Sequence, residues 1–240
     1  RIQVSLKKQL IAEDRFSWKL PVTGEQAEED DACCGESLRY IAGVDLSFSK
    51  NDPSIACATL VVLDSSTFEV VHEDSAIVEL RVPYVSGFLA FREAPVILEL
   101  LQKMKNNGST SYPQVLMVDG NGILHPKGFG LACHVGVLAD LPTIGIGKNL
   151  HHVDGLTQSR VNKQLRDGSP TDDTLILVGD SGATLGAAMR STDGSTKPVF
   201  VSVGHCISLD SAIKIVKFCC RYRVPEPVRQ ADIRSKIRLR

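Results

Sequence analysis

A change of pattern part-way along the chain constrains its fold more than any other feature. Between residues 39 and 80 three apolar runs of strand length follow one another: Arg39–Phe48 (RYIAGVDLSF), Ser54–Asp64 (SIACATLVVLD) and Glu69–Leu80 (EVVHEDSAIVEL). Their connections contain Asn51-Asp52-Pro53 and Ser65-Ser66 and are short, so the three predict an antiparallel meander. From residue 114 the pattern becomes strand, helix, strand. Gln114–Val118 is a short apolar run ending at Asp119, Leu131–Asp140 reads as a helix, and Thr143–Gly147 reads as a strand ending at Lys148. Alternation of this kind predicts parallel pairing. A helix with Pro95 in its first turn, running to about Lys105, joins the two halves. Three more strand-like segments lie within 174–203, and Leu209–Cys220 reads as a further helix. This order predicts an α/β chain of ribonuclease-H-like topology, a mixed central sheet flanked by helices.

The ends are less regular. Leu10, Ile11, Phe16 and Leu20 recur at helical spacing, so 7–20 predicts an N-terminal amphipathic helix. Residues 23–37 lack periodicity and read as a flexible loop. Residues 221–240 carry seven Lys/Arg against Glu226 and Asp232 and read as a basic C-terminal tail, either touching phosphates or simply solvated. No internal repeat divides the 240 residues, so they read as one domain and as a monomer.

Apolar residues make up 43 % of the chain, which excludes a disordered polymer and supplies a core. No apolar run approaches the length of a membrane span. No charged N-terminal region followed by an apolar stretch reads as a signal peptide. The seven cysteines are odd in number, form no CxxC pair, and mostly lie in apolar stretches, so they read as reduced core thiols of an intracellular protein. A cytoplasmic or nuclear location, the nucleolus included, is expected. The net charge of −1 gives little general attraction to nucleic acid.

The chemistry lies at strand ends. Asp45 interrupts the apolar run Ile41–Leu46, and Asp119 closes Val115–Val118. A carboxylate in such a place is costly unless it is paired or holds a cation. Ligand sites of parallel sheets lie at the carboxyl ends of strands. Glu93 stands at the start of the Pro95 helix. Taken one at a time, each acid is more simply an N-cap or surface residue. Together, three acids on one sheet edge fit a hard cation such as Mg²⁺. After Asp119 comes Gly120-Asn121-Gly122, then His125-Pro126-Lys127-Gly128-Phe129-Gly130 leading into a helix. This is either an ordinary strand-to-helix turn or a ligand loop in which glycines let the backbone approach closely.

The stretches YIAGVDLSF, PYVSGFLAFRE, VLMVDGNGILHPKGFGLACHVGV, PTIGIGK, VSVGH and PEPVRQAD resemble the endonuclease V family, in the family's order and over residues 40 to 232. The resemblance implies a ribonuclease-H-like fold. It also implies a metal-dependent endonuclease that cuts the second phosphodiester 3′ of a deaminated base, chiefly inosine, leaving 5′-phosphate and 3′-hydroxyl ends. By resemblance Asp45, Glu93 and Asp119 are the metal-binding acids, with Mg²⁺ as the cofactor and Mn²⁺ as an acceptable substitute. His205 matches a histidine near the active site, Lys148 a lysine on the cleaved backbone, and Pro83-Tyr84 a wedge beside the lesion. Where many bacterial members read Pro-Tyr-Ile-Pro, this chain reads Pro-Tyr-Val-Ser, so its wedge is expected to be looser. The base pocket is expected from Gly120, Asn121, Gly122, His125, Gly128, Phe129 and Gly130. The expected partner is inosine-containing RNA, single-stranded by preference, with deaminated DNA as a second substrate. The alternatives are a general deaminated-base DNA repair nuclease, another acid-cluster nuclease on the same fold such as a Holliday-junction resolvase, and a module that binds inosine without cutting.

Overall fold

A computed structural model describes residues 2–20, 36–80, 90–167, 173–192, 195 and 197–240. Helix α1 (Ile2–Lys7) precedes strands β1 (Tyr40–Phe48), β2 (Ile55–Asp64) and β3 (Val70–Glu79). Helix α2 (Ala90–Asn106) leads to β4 (Val115–Asp119), α3 (Leu131–Ala139), β5 (Thr143–Gly147) and α4 (Gln158–Asp167). Then come β6 (Thr174–Val178), β7 (Thr184–Met189), β8 (Val199–His205), α5 (Leu209–Cys219) and α6 (Glu226–Arg238).

All eight strands form one sheet in the order β3-β2-β1-β4-β5-β8-β7-β6. The meander β1–β2–β3 is antiparallel, and β1, β4 and β5 pair in parallel, as the change of sequence pattern requires. The remaining three strands return antiparallel, β8 against β5, β7 against β8 and β6 against β7. The mixed α/β topology expected from the sequence is thus the one observed.

Side-chain alternation sets what each face carries. Ala42, Val44, Leu116 and Val118 point to a core with α2 and α3. Ile41, Val115, Met117, Ile144 and Val201 point the other way, to a core with α5 and Val228 of α6. Asp45 has the parity of Ile41, and Asp119 that of Val115 and Met117. Both acids therefore belong to the α6 side.

Three expectations change. Residues 7–20 are not a helix: α1 ends at Lys7, and the chain then runs irregularly to a bridge between Lys19 and Ser37. Phe16, Trp18 and Leu20 still bury apolar surface against the α5–β8 core, with the Phe16 and Trp18 rings stacked at 3.7 Å. Burial, not helix formation, explains their spacing. The supposed basic tail is mostly α6, packed across β1 and β2; Val228, Ala231 and Ser235 form its buried face. Its charges are largely paired, Arg229 with Glu226, Arg234 with Glu73 and Lys236 with Asp232. Pro95 falls in the second turn of α2, not the first. Among the described cysteines, Cys57, Cys133, Cys206 and Cys219 are buried free thiols and Cys220 is partly exposed. No described helix is long and apolar enough to cross a membrane.

Candidate active site

The site is built where α6 crosses β1. Gly43 makes the crossing possible: a Cβ there would overlap the backbone of Pro227 and Val228 in the first turn of α6. With the helix held so close, its later residues lie over the strand two positions on. Ser235, fully buried, donates its hydroxyl to Asp45 Oδ2 at 2.7 Å. Ser47 donates to the same oxygen at 2.9 Å. Asp45 is 6 % exposed, so these two hydroxyls fix its carboxylate in a largely dry setting.

Parallel pairing of β1 with β4 brings Asp119 alongside, because Val44 is level with Val118. A third acid comes from α6. Carboxylate oxygens of Asp45, Asp119 and Asp232 all lie within 4.8 Å of one another. Lys148, just past β5, places Nζ 2.6 Å from Asp119 Oδ2 and 3.0 Å from Asp232 Oδ1. Lys236 meets the other oxygen of Asp232 at 2.6 Å. Glu93, in the first turn of α2, is 5 % exposed.

The electrostatics follow from burial of like charges. Burial pushes the Glu93 carboxyl up to about 7, Arg92 opposes the rise, and the charges of Asp119 and Asp45 add to it. Burial and the hydrogen bond and charge of Asp45 push Asp119 up to about 7 as well, against the pull of Lys148. Burial works against the Lys148 ammonium, but Asp119 and Asp232 more than reverse this and raise its pKa. Asp232 is also penalised by burial, yet its bonds to Lys236 and Lys148 hold it below the usual carboxylate range. An ammonium already bridges Asp119 and Asp232, and yet Asp119, together with Glu93, holds its proton more tightly than a free carboxyl. That is the signature of a site with room for more positive charge. The all-oxygen donor set suits a hard divalent cation.

The structure therefore brings together Asp45, Asp119 and Lys148, and sets Glu93 near enough for the charges of Asp119 and Asp45 to act on it, though outside the group whose oxygens lie within 4.8 Å. It adds Asp232, with Ser47 and Ser235 as supports. The available signal for Asp232 was its place in PEPVRQAD, one of the stretches that carry the family resemblance. Its neighbours Arg229, Arg234 and Lys236 made the segment read as a charged tail instead.

His205 does not join them. Strand β8 is antiparallel to β5, so His205 pairs with Thr143 at the start of β5, while Gly147 at the acid end pairs with Phe200. His205 is buried at the opposite edge of the sheet, and its Nδ1 accepts from Ile11 N at 3.3 Å. Burial lowers its pKa, with Asp140 pulling the other way. The place near the active site that the family resemblance implied for His205 is therefore not the one it occupies.

The glycine-rich segment divides in two. Gly120 and Asn121 remain beside the acid end, where Gly120 N donates to Ile146 O at 3.0 Å. Asn121 is 9 % exposed, and its Oδ1 has no hydrogen-bond partner. His125 is half-buried, with its pKa lowered by burial and by the neighbouring His151, Lys127 and Lys7. Gly122 serves packing: a Cβ would run into the Val203 carbonyl, and Gly122 N donates to Ser202 Oγ at 2.8 Å. Gly130 likewise abuts the Asn121 carbonyl, and Gly128 turns beside Lys7. Phe129 is fully buried against Leu6 and Cys133, so it belongs to the core rather than to a substrate surface. Pro83 and Tyr84 lie outside the described residues.

Comparison with known proteins gives one consistent answer. The family description "Endonuclease V" matches residues 23–233. Human Endonuclease V is 48 % identical over 241 aligned residues, covering 100 % of this chain and 82 % of the human protein. The crystal structure of the catalytic domain of human Endonuclease V superposes with a TM-score of 0.89 at 45 % identity, covering 100 % of this chain and 94 % of that one. Ciona intestinalis Endonuclease V, in complex with a 24mer DNA containing an inosine followed by a ribo-adenosine, superposes at 0.86 with 33 % identity, covering 99 % and 95 %.

Proposed function

The chain belongs to the endonuclease V family, and from its acid cluster we propose that it hydrolyses inosine-containing nucleic acid at the second phosphodiester 3′ of the inosine. Single-stranded RNA is the preferred substrate in this reading, and the products carry 5′-phosphate and 3′-hydroxyl ends. The observation that carries it is the approach of the Asp45, Asp119 and Asp232 carboxylates to within 4.8 Å, with Lys148 between two of them.

Asp45, Asp119 and Asp232 would hold a divalent ion, Mg²⁺ or Mn²⁺, with Glu93 beside it. When bound, such an ion supplies Lewis acidity to a phosphoryl oxygen and lowers the pKa of water. The chain's own residues do the rest. Ser47 and Ser235 hold Asp45 in one orientation. Lys148, released from its two carboxylates when more positive charge enters, can turn its ammonium to the scissile phosphate and neutralise charge that develops there. Glu93, a metal-binding acid by the family resemblance, would add a further oxygen donor from α2.

Base choice falls to the turn after β4. Hypoxanthine offers an N1–H donor where adenine offers an acceptor. Asn121 Oδ1, buried at this turn without a hydrogen-bond partner, is the acceptor that would take this N1–H. A preference for RNA is supported by the sequence Pro83-Tyr84-Val85-Ser86, which lacks the second proline of many bacterial members, and by the chain's small net charge. RNA contacts favour unpaired bases, which need no strand opening. The ribo-adenosine after the inosine in the Ciona complex is consistent with a ribose being read at that position.

The test is cleavage of one inosine oligonucleotide as single-stranded RNA, single-stranded DNA and duplex DNA, with Mg²⁺ and with chelator. RNA should be cut fastest, and chelator should abolish cutting. Equal rates on duplex DNA would turn the reading to general deaminated-base repair. Binding without any cutting would turn it to an inosine-recognition module.

A further inference from the structure

The edge that carries the acids continues into a groove. Past Asp45, β1 runs to Phe48 and turns through Ser49–Asn51 toward β2, and the C-terminal end of α6 faces this turn. Between them lies a cavity of about 480 Å³ lined by Ser47, Phe48, Lys50, Asn51, Lys236 and Arg240 among others. Its wall is shared with the acid cluster: Ser47 is bonded to Asp45 and Lys236 to Asp232. A ligand lying in it would thus reach the acids without crossing any intervening element.

The lining is specific in kind. Three of its side chains are cationic and none is acidic, in a chain whose net charge is −1. At its rim stands Phe48, the last residue of β1, 38 % exposed; it has the parity of Ala42 and Val44, so its ring sits on the α2 side of the sheet edge, where the strand end meets the groove. The Arg92 guanidinium lies 5.0 Å from its ring centroid and is itself tied to Pro53 O at 3.1 Å. A braced, exposed aromatic beside a row of cations is the composition of single-strand nucleic-acid channels, in which bases stack and phosphates are neutralised.

We propose that this groove holds the substrate strand on the 3′ side of the scissile phosphate, with a nucleobase on Phe48 and phosphates on Lys50 and Arg240. The proposal rests on the function proposed above and adds the path of the strand. The side follows from the sheet order. The Gly120–Asn121 turn reaches from β4 toward β5, against Ile146 and Gly145. The acids stand on β1 and β4, and the groove lies beyond β1. A strand whose inosine sits at the turn and whose cut is 3′ of it leaves across β1 into the groove.

The experiment uses the full chain, Mg²⁺ and two single-stranded RNAs with one inosine. One carries about ten nucleotides 3′ of the inosine, within the span such channels cover. The other stops one nucleotide beyond the cut. Phe48→Ala and Lys50→Glu should each raise KM on the long strand by about tenfold, should raise it much less on the short one, and should act on KM more than on kcat. Phe48→Tyr should restore the long-strand KM, and trimming the 5′ flank should leave the losses in place. The proposal is overturned if both variants match wild type on the long strand, if their losses are equal on the two strands, or if the losses follow the 5′ flank. Fluorescence anisotropy of the same strands without cutting, in Ca²⁺, reads the groove independently. A wild-type chain that binds the long strand better than the short one but cuts neither sinks the proposed activity and keeps the groove.

Discussion

The two ends of the β5–β8 pair each gather three side chains able to ligate a metal, and they differ in how those side chains are satisfied. At one end Asp45, Asp119 and Asp232 converge; at the other, Asp140, His205 and Cys206 do, and in each group the ligand atoms lie within 4.8 Å. The His205 end is stitched shut by backbone. Ile11 N donates to His205 Nδ1, Cys206 N donates to Ile11 O at 2.8 Å, and Arg15 N donates to Cys206 O at 3.2 Å. One imidazole nitrogen, Nδ1, is thus taken up by the N-terminal segment. At the acid end, by contrast, the partners are side chains, two of them lysines, and the carboxylates outnumber the cations. A cluster satisfied by backbone serves to fasten a segment, whereas one left with surplus like charge is poised to take a ligand. Distance between candidate ligands does not separate the two cases; their remaining hydrogen-bond partners do.

The largest effects should come from emptying the acid end. Asp45→Ala and Asp119→Ala should each lower kcat by about three orders of magnitude, roughly 4 kcal/mol of transition-state stabilisation, with an unchanged circular dichroism spectrum. Asp232→Ala should follow within about a further tenfold of them. If Asp232→Ala cuts as well as wild type, the third corner of the cluster is misplaced and α6 is only packing.

Smaller changes test the supports. Ser235→Ala removes one of two hydroxyls from Asp45 Oδ2 and leaves Ser47 in place. One such bond to a charged group is worth about 1.5–3 kcal/mol, and the surviving hydroxyl takes up part of it. A loss of about tenfold in kcat, with the metal requirement shifted to higher concentration, is expected. His205→Ala should do the reverse. It frees Ile11 N and should destabilise the fold by about 1–2 kcal/mol, seen as a lower urea midpoint, while kcat of the folded fraction stays within about threefold. A thousandfold loss of kcat in a stable His205→Ala protein would erase the distinction between the two ends.

The same contrast shows what the sequence could and could not reveal. Asp45 and Asp119 were legible because an acid at the end of an apolar strand has few inexpensive explanations. Parity and parallel pairing then put them side by side. Asp232 was not legible from pattern. The buried face of α6 is made of Val228, Ala231 and Ser235, so the helix shows no broad apolar stripe, and close packing on Gly43 takes the place of bulk. His205 was placed by the family resemblance alone, and the antiparallel pairing of β8 with β5, which the sequence of β8 does not reveal, sends it to the far edge. Phe129 looked like a ligand contact because it sits among glycines, yet those glycines exist partly to let backbone meet backbone around it. Among the ends of the chain, spacing misled twice. Residues 7–20 had helical periodicity without a helix, and 226–238 had a helix with little periodicity.

The smallest expected effect concerns stability without substrate. In the metal-free protein Glu93 and Asp119 sit at about 7, raised from 4.5 and 3.8 mainly by burial. A carboxyl whose folded-state pKa is raised binds its proton more tightly in the folded chain than in the unfolded one. The resulting stability is complete below the unfolded values and is lost as pH rises through about 7. Above neutrality the acid end is then the strained end of the sheet, and added positive charge should relieve it. A divalent ion should therefore raise the melting temperature more at pH 8 than at pH 5.5, by about a few degrees more. In Glu93→Gln, which keeps the shape and removes one of the two titrations, the metal-free protein should lose less stability between these pH values. His205→Ala should leave the metal-dependent difference intact, because the far end does not share the charge. A melting temperature that responds to Mg²⁺ equally at both pH values, or that loses its response in His205→Ala, would mean that the surplus charge of the acid end is not what takes up the ion.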